Sequence, residues 1–165
     1  MKPVLLVEDD ENDALFMRNA FEEAGLGTVL QLVFDGQQAM DYFSGSGAFA
    51  DRERHPLPCL VLLDLNLPVV TGFEFLRWLR NQPAFKAVTV IVLSASTAEQ
   101  DVYHAYSLGA NSYVEKPSNP ARLIDFARLI EAYWLGWNVA LLGCLGAERS
   151  LLRCGKGAEE SMLGD

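Results

Sequence analysis

Apolar residues along the chain fall into two alternating kinds of segment. The first kind is a short, continuous run that stops abruptly at a polar side chain. Pro3-Val4-Leu5-Leu6-Val7 runs into Glu8-Asp9-Asp10, Cys59-Leu60-Val61-Leu62-Leu63 ends on Asp64, and Val88 to Leu93 ends on Ser94. Runs of this kind read as strands buried on both faces of a parallel sheet. Thr28 to Phe34 and the shorter Asn111 to Val114, closed by Glu115-Lys116-Pro117, read as two more.

The second kind carries apolar residues at helical spacing. From Asn12 onward Leu15, Phe16, Phe21 and Ala24 mark a helix that Gly25 and Gly27 end. Asp35-Gly36 leads into a helix with Ala39, Met40 and Phe43, and the loop Asn66 to Gly72 into one with Phe73, Leu76 and Leu79. Thr97 is placed to cap a fourth helix, with Glu99 and Gln100 in its first turn and Gly109 as its stop. A fifth starts at Ser118 or Asn119 and runs through Leu123, Phe126, Ile130 and Trp134. Ser44 to Pro58, rich in glycine, charge and proline, reads as a long solvated loop.

Five strands alternate with five helices, and no hairpin turn joins any two strands. That predicts an α/β fold, a doubly wound parallel sheet of (βα)5 type with the flavodoxin-like strand order 2-1-3-4-5. Ligands of such sheets bind beyond the carboxyl ends of the strands where the order reverses, here between strands one and three. Strand one ends at Glu8-Asp9-Asp10 and strand three at Asp64, so acidic groups flank the favoured site from both sides. Two carboxylates about 4 Å apart repel by roughly 4 kcal/mol at an effective dielectric near 20, and such a cluster calls for a cation. All-oxygen ligation suits Mg²⁺, which shares its shell with phosphate oxygens. Ser94 and Lys116, at the ends of strands four and five, add a hydroxyl donor and an ammonium for phosphoryl oxygens.

Composition narrows the function without changing this picture. The 165 residues suffice for one α/β domain, and the net charge of −9 argues against nucleic-acid binding. Cys59, Cys144 and Cys154 show no metal spacing and read as structural thiols of a reducing compartment. Four acidic residues within the first eleven positions leave no room for a signal peptide, and the uncharged stretch between Glu131 and Glu148 is too short to span a membrane. A cytoplasmic protein with no membrane contact is expected.

Leu5-Leu6-Val7-Glu8-Asp9-Asp10, Leu62-Leu63-Asp64-Leu65-Asn66-Leu67-Pro68 with Gly72, Leu93-Ser94-Ala95, Gly109-Ala110 and Lys116-Pro117 closely resemble the receiver domain of two-component response regulators. The resemblance covers about residues 2 to 138. It implies that Asp64 accepts a phosphoryl group from the phosphohistidine of a histidine kinase. Asp9, Asp64 and the backbone carbonyl of Asn66 would bind Mg²⁺ with help from Glu8, and Ser94 and Lys116 would hold phosphoryl oxygens. Tyr113 matches the aromatic whose ring moves on activation. The 44–58 loop, the Thr71-Gly72-Phe73-Glu74-Phe75-Leu76 helix start and Tyr133-Trp134-Leu135 resemble small stand-alone regulators partnered with phytochrome-type kinases. A protein that signals by contact rather than an enzyme is expected. Its partners would be the kinase, a downstream phosphorelay protein, or a second copy through the helix 4/strand 5/helix 5 face bearing Tyr103 and Tyr106.

Two rivals and two decoys sharpen the reading. A phosphohydrolase of the haloacid-dehalogenase type also forms an aspartyl phosphate, but needs an aspartate where this chain has Asn66. A degenerate receiver acting as a binding module would not keep Asp9, Asp64, Ser94 and Lys116 together. Gly45-Ser46-Gly47-Ala48-Phe49-Ala50 has dinucleotide-binding spacing but follows a helix rather than a strand. The Cys59–Asp64 strand resembles that of P-loop ATPases, yet GxxxxGK[ST] is missing from the sequence. The domain is therefore expected over 1–138. Residues 139–165 form a tail with no recognisable effector, and His55 and His104 are read as surface residues.

Overall fold

The computed structural model describes residues 2–26 and 30–139. Expectations that fall on Met1, Gly27, Thr28, Val29 or the tail from 140 onward, including Cys144 and Cys154, lie outside the described residues. The elements follow one another as β1 (Val4–Val7), α1 (Glu11–Glu23), β2 (Leu30–Val33), α2 (Gly36–Ser44), β3 (Leu60–Asp64), α3 (Gly72–Asn81), β4 (Thr89–Ser94), α4 (Glu99–Ser107), β5 (Ser112–Glu115) and α5 (Pro120–Leu129). All strand pairs are parallel and the order is β2-β1-β3-β4-β5, the flavodoxin-like arrangement.

Strand alternation divides the core between two faces. Leu5, Val7, Val61, Leu63, Val90 and Val92 face Ala39, Phe43, Phe75, Leu76 and Leu79 of α2 and α3. Val4, Leu6, Leu60, Leu62, Ile91 and Leu93 face Met17, Ala20 and Phe21 of α1 and Leu123, Phe126 and Ala127 of α5. Each large side chain fully buried here stabilises the fold by about 1.5–3 kcal/mol, which explains why the continuous apolar runs were so readable.

Several local expectations are corrected. On α1 the buried stripe is Ala14, Met17, Ala20 and Phe21, while Leu15 and Phe16 are each about half exposed. Small residues let this helix sit close to the sheet, which turns its bulkier neighbours outward. Thr97 does not cap α4. The Ser96 hydroxyl accepts from the Ala98 amide at 3.3 Å and donates to Asp101 at 2.6 Å, closing the first turn instead. The fifth helix does not stay α-helical through Trp134, because Ile130–Trp137 is a π-helix.

The 44–58 loop is less solvated than expected. It opens with a 3₁₀ turn at Gly47–Phe49, and the Arg52 guanidinium donates to the Tyr42 and Phe43 carbonyls at 2.6 and 2.7 Å. Those carbonyls lie in the last turn of α2, where intrahelical partners run out, and Tyr42's has otherwise only a 3.3 Å bond from the Gly45 amide. His55 is accordingly half-buried rather than freely exposed. It packs edge-on against Tyr42 and Phe49, with Nδ1 buried and unpartnered, whereas His104 is exposed and stacks on Phe73.

Candidate functional site

The strand register decides which side chains meet at the carboxyl edge of the sheet. Val7 pairs with Leu63, so Glu8 emerges beside Asp64, while Ser94 pairs with Glu115 and places Lys116 just beyond the edge. Glu8 is fixed at β1's end by its amide, which donates to the Val33 carbonyl, and Lys116 by its amide on the Ser94 carbonyl. One oxygen from each of Glu8, Asp9 and Asp64 lies within 4.8 Å of the others. Glu8 and Asp64 are buried, at 3% and 6% exposure, and Asp9 opens to solvent.

Lys116 runs into this cluster. Its Nζ lies 2.6 Å from Asp64 Oδ2, 2.8 Å from Glu8 Oε2 and 3.0 Å from Asp13 Oδ2. The two sides of that arrangement titrate in different ways. Burial raises the Glu8 carboxyl to about 7, because one ammonium shared three ways is too little counter-charge to offset desolvation. Burial alone would lower the Lys116 ammonium. Hydrogen bonds to Asp64, Glu8 and Asp13 outweigh it and push Lys116 up, so it stays charged throughout the physiological range. Three carboxylates thus hold one ammonium, and Asp9 joins Glu8 and Asp64 in an all-oxygen donor set that fits a hard divalent cation.

The loop after Asp64 is held tightly. The Asn66 amide donates to Asp64 Oδ1 at 3.0 Å, and the Gly72 amide to the Leu65 carbonyl at 3.0 Å. A Cβ on Gly72 would come within 2.2 Å of the Asp64 carbonyl oxygen, so only glycine lets α3 begin this close to the site. Between them Val69 has φ +64° and the Val70 amide bonds back to the Pro68 carbonyl at 2.7 Å, forming a strained γ-turn at the rim. Thr71 and Glu74 form a capping box at the start of α3.

On the other flank Ser94 is fully buried, and its hydroxyl oxygen accepts from the Ser96 amide at 3.1 Å. The Tyr113 hydroxyl donates to the Ser96 carbonyl at 2.8 Å. Ser96 therefore joins Ser94, Tyr113 and, through Asp101, the first turn of α4. Tyr103 and Tyr106 of α4 are exposed, and the Tyr106 hydroxyl accepts from the Tyr113 amide at 3.2 Å.

The structure thus gathers Glu8, Asp9, Asp64 and Lys116 into one cluster, holds Asn66 against Asp64, and sets Ser94 at the adjoining strand end. Tyr113 stands apart from the carboxylates and reaches Ser94 through Ser96. Sequence reasoning missed Asp13 and Ser96. Asp13 is one of several acidic residues at the start of α1, and its place in the first turn after strand one was a usable signal.

Comparison with known proteins agrees with this geometry. Residues 4–128 match the model of the response regulator receiver domain. The probable methanogenesis regulatory protein FilR2 of Methanothrix harundinacea is 38% identical over 138 residues, covering 82% of this chain and 84% of FilR2. The response regulator Rcp1 of Synechocystis sp. is 35% identical over 134 residues, 81% of this chain and 89% of Rcp1. A crystal structure of Rcp1 in its Mn²⁺-bound form has a TM-score of 0.74 at 33% identity, covering 86% and 99% of the two chains. The phosphorylated cyanobacterial phytochrome response regulator RcpA gives a TM-score of 0.77 at 34% identity, covering 84% and 97%.

Proposed function

The chain belongs to the receiver-domain family of response regulators and acts in two-component signalling, and on that premise we propose that Asp64 is its phosphoacceptor. The observation that carries the proposal is the 2.6 Å contact between Lys116 Nζ and Asp64 Oδ2 inside the Glu8–Asp9–Asp64 cluster. A carboxylate so held is a poised nucleophile with a cation already beside the atoms that will carry charge.

Asp64 attacks the phosphorus of a phosphohistidine. The new O–P bond forms as the P–N bond breaks, and the imidazole leaves with the electron pair. Lys116 shifts its hydrogen bond from the carboxylate to a phosphoryl oxygen, and the Ser94 hydroxyl turns to donate to another. Asp9, Asp64 and the Asn66 carbonyl, with Glu8 assisting, are the residues that would hold Mg²⁺. When bound, the ion neutralises charge on the phosphoryl oxygens.

Readout follows from the links around Ser96. When the Ser94 hydroxyl turns toward the phosphoryl group it gives up the Ser96 amide, and the carbonyl that holds the Tyr113 hydroxyl moves with it. The Tyr113 ring turns inward, and the face of α4, β5 and α5 changes. Phosphorylation shifts a pre-existing equilibrium through its differential contacts with the two states. That face, with Tyr103 and Tyr106 exposed, receives a second copy or a downstream phosphorelay protein. The kinase is of the phytochrome type, a reading supported by the similarity to Rcp1 and RcpA. The protein works in the cytoplasm and turns over no substrate of its own. Among the described residues, no helix is long and apolar enough to cross a membrane.

Intact-mass measurement after incubation with a small phosphodonor and Mg²⁺ tests the proposal. Wild type gains one phosphoryl group that hydroxylamine removes, and Asp64→Asn gains none. Normal labelling of Asp64→Asn, or turnover of a phosphomonoester by wild type, overturns it.

A further inference from the structure

Resting on the assignment of Asp64 as phosphoacceptor, we infer that Asp13 is a positioning residue that keeps the Lys116 ammonium aimed at the reacting oxygens while its other partners change. Lys116 has three N–H donors and three carboxylate partners: Asp64, Glu8 and Asp13. Two of these belong to the reaction. The Asp64 carboxylate becomes an acyl phosphate, a mixed anhydride, and Glu8 stands in the cation cluster with Asp9. Asp13 is outside that cluster, so it is the partner that the chemistry leaves in place.

Its own position is fixed. Asp13 lies in the first turn of α1, where the Asp10 carboxylate caps the helix by accepting from the Asn12 and Asp13 amides at 2.8 and 3.0 Å. That cap sets the orientation of the turn relative to the end of β1, and with it the distance from Asp13 to Lys116. The Asp13 side chain is 44% exposed and needs no counter-ion of its own. The plain alternative is a surface ion pair of negligible effect. Against it, the Lys116 side chain is only 17% exposed, and the contact joins residues 103 apart at the mouth of the site. Asp13 and Lys116 also line one open groove of about 390 Å³ with Phe16, Ala95 and Pro117.

Asp13 acts through orientation and also through charge, and the two push in opposite directions. Its negative charge repels an anionic phosphodonor, whereas its oxygen orients the ammonium. Asp13→Asn removes the charge and keeps an acceptor oxygen, and Asp13→Ala removes both. The expected result with acetyl phosphate and saturating Mg²⁺ is that Asp13→Asn labels at least as fast as wild type. Asp13→Ala then labels about five- to tenfold slower than Asp13→Asn, and the loss lies in the maximal rate rather than in the half-saturating donor concentration. The ¹⁵N resonance of the Lys116 ammonium, read without donor, should persist in wild type and Asp13→Asn and broaden by solvent exchange in Asp13→Ala. Equal maximal rates for the two variants, or an ammonium signal unchanged in Asp13→Ala, overturn the inference. A wild type that takes no label at all overturns the Asp64 assignment first, and this role with it.

Discussion

The two ends of the sheet each hold a half-buried cation, and they satisfy it in opposite ways. At the carboxyl end Lys116 is shared among the carboxylates of Asp64, Glu8 and Asp13. At the amino end Arg80, from α3, meets neutral oxygens. Its Nε and one terminal nitrogen donate to the Gly109 carbonyl at 2.9 and 2.7 Å, and the other to the Val88 carbonyl at 2.8 Å. Asn111 closes that network by accepting from Arg80 at 3.1 Å and from the Val90 amide at 2.8 Å. Carbonyl dipoles fixed in the backbone gain nothing by rearranging, so the Arg80 network locks α3, β4 and the turn before β5. Carboxylates in excess over one ammonium have much to gain from a new cation or a phosphoryl group. The same element, a partly desolvated positive charge, is structural at one end and, on the proposed function, reactive at the other.

Removing each cation should break the molecule in a different way. Lys116→Ala is expected to slow phosphoryl acceptance about a hundredfold, the usual cost of deleting an electrostatic stabiliser, while added Mg²⁺ still raises the melting temperature. Labelling within a fewfold of wild type would place the phosphoryl contact elsewhere. Arg80→Ala is expected to cost about 2–4 kcal/mol by denaturant unfolding, because it strands the Gly109 and Val88 carbonyls and takes one of two donors from the Asn111 amide oxygen. Its labelling rate per folded molecule should stay within twofold of wild type. A stable variant that labels slowly would show that the two ends are not separable.

The smallest expected effect concerns Glu8 in chelator-treated protein. Its folded-state value of about 7 lies above the ordinary 4.5, because burial disfavours the charged form. The stabilisation tied to that proton is complete below 4.5 and is lost as the pH rises through 7. Glu8→Gln cannot lose the proton. It should match wild type in acid and be more stable than wild type in mild alkali. A difference independent of pH would mean that Glu8 is ionised at all these values.

The carboxyl end was the legible one. Glu8, Asp9, Asp64, Ser94 and Lys116 stand where apolar strands stop, and parallel topology alone then brings strand ends together. The locked end was illegible for the converse reason. Arg80 sits on a helix among polar neighbours, and its partners are backbone oxygens that a sequence cannot distinguish from any others. Arg52 on the α2 carbonyls escaped notice in the same way, which is why the 44–58 loop looked more solvated than it is. On α1 the large Leu15 and Phe16 drew attention from the small Ala14 and Ala20 that make the contact. The relation of Ser96 to Ser94, Tyr113 and Asp101 depends on how the loop after β4 folds back, a matter of backbone path rather than residue type.

On the proposed function, the carboxylate cluster places a phosphoryl group on Asp64 with the aid of a divalent cation. Borohydride reduction of the labelled protein, which converts an aspartyl phosphate to homoserine, followed by peptide mapping by mass spectrometry, locates that group directly. The account predicts a single converted residue, Asp64, in protein labelled with Mg²⁺, and none in protein labelled in chelator. Conversion at Asp9, Asp13 or any other carboxylate, or equal conversion of Asp64 with the cation removed, would contradict it.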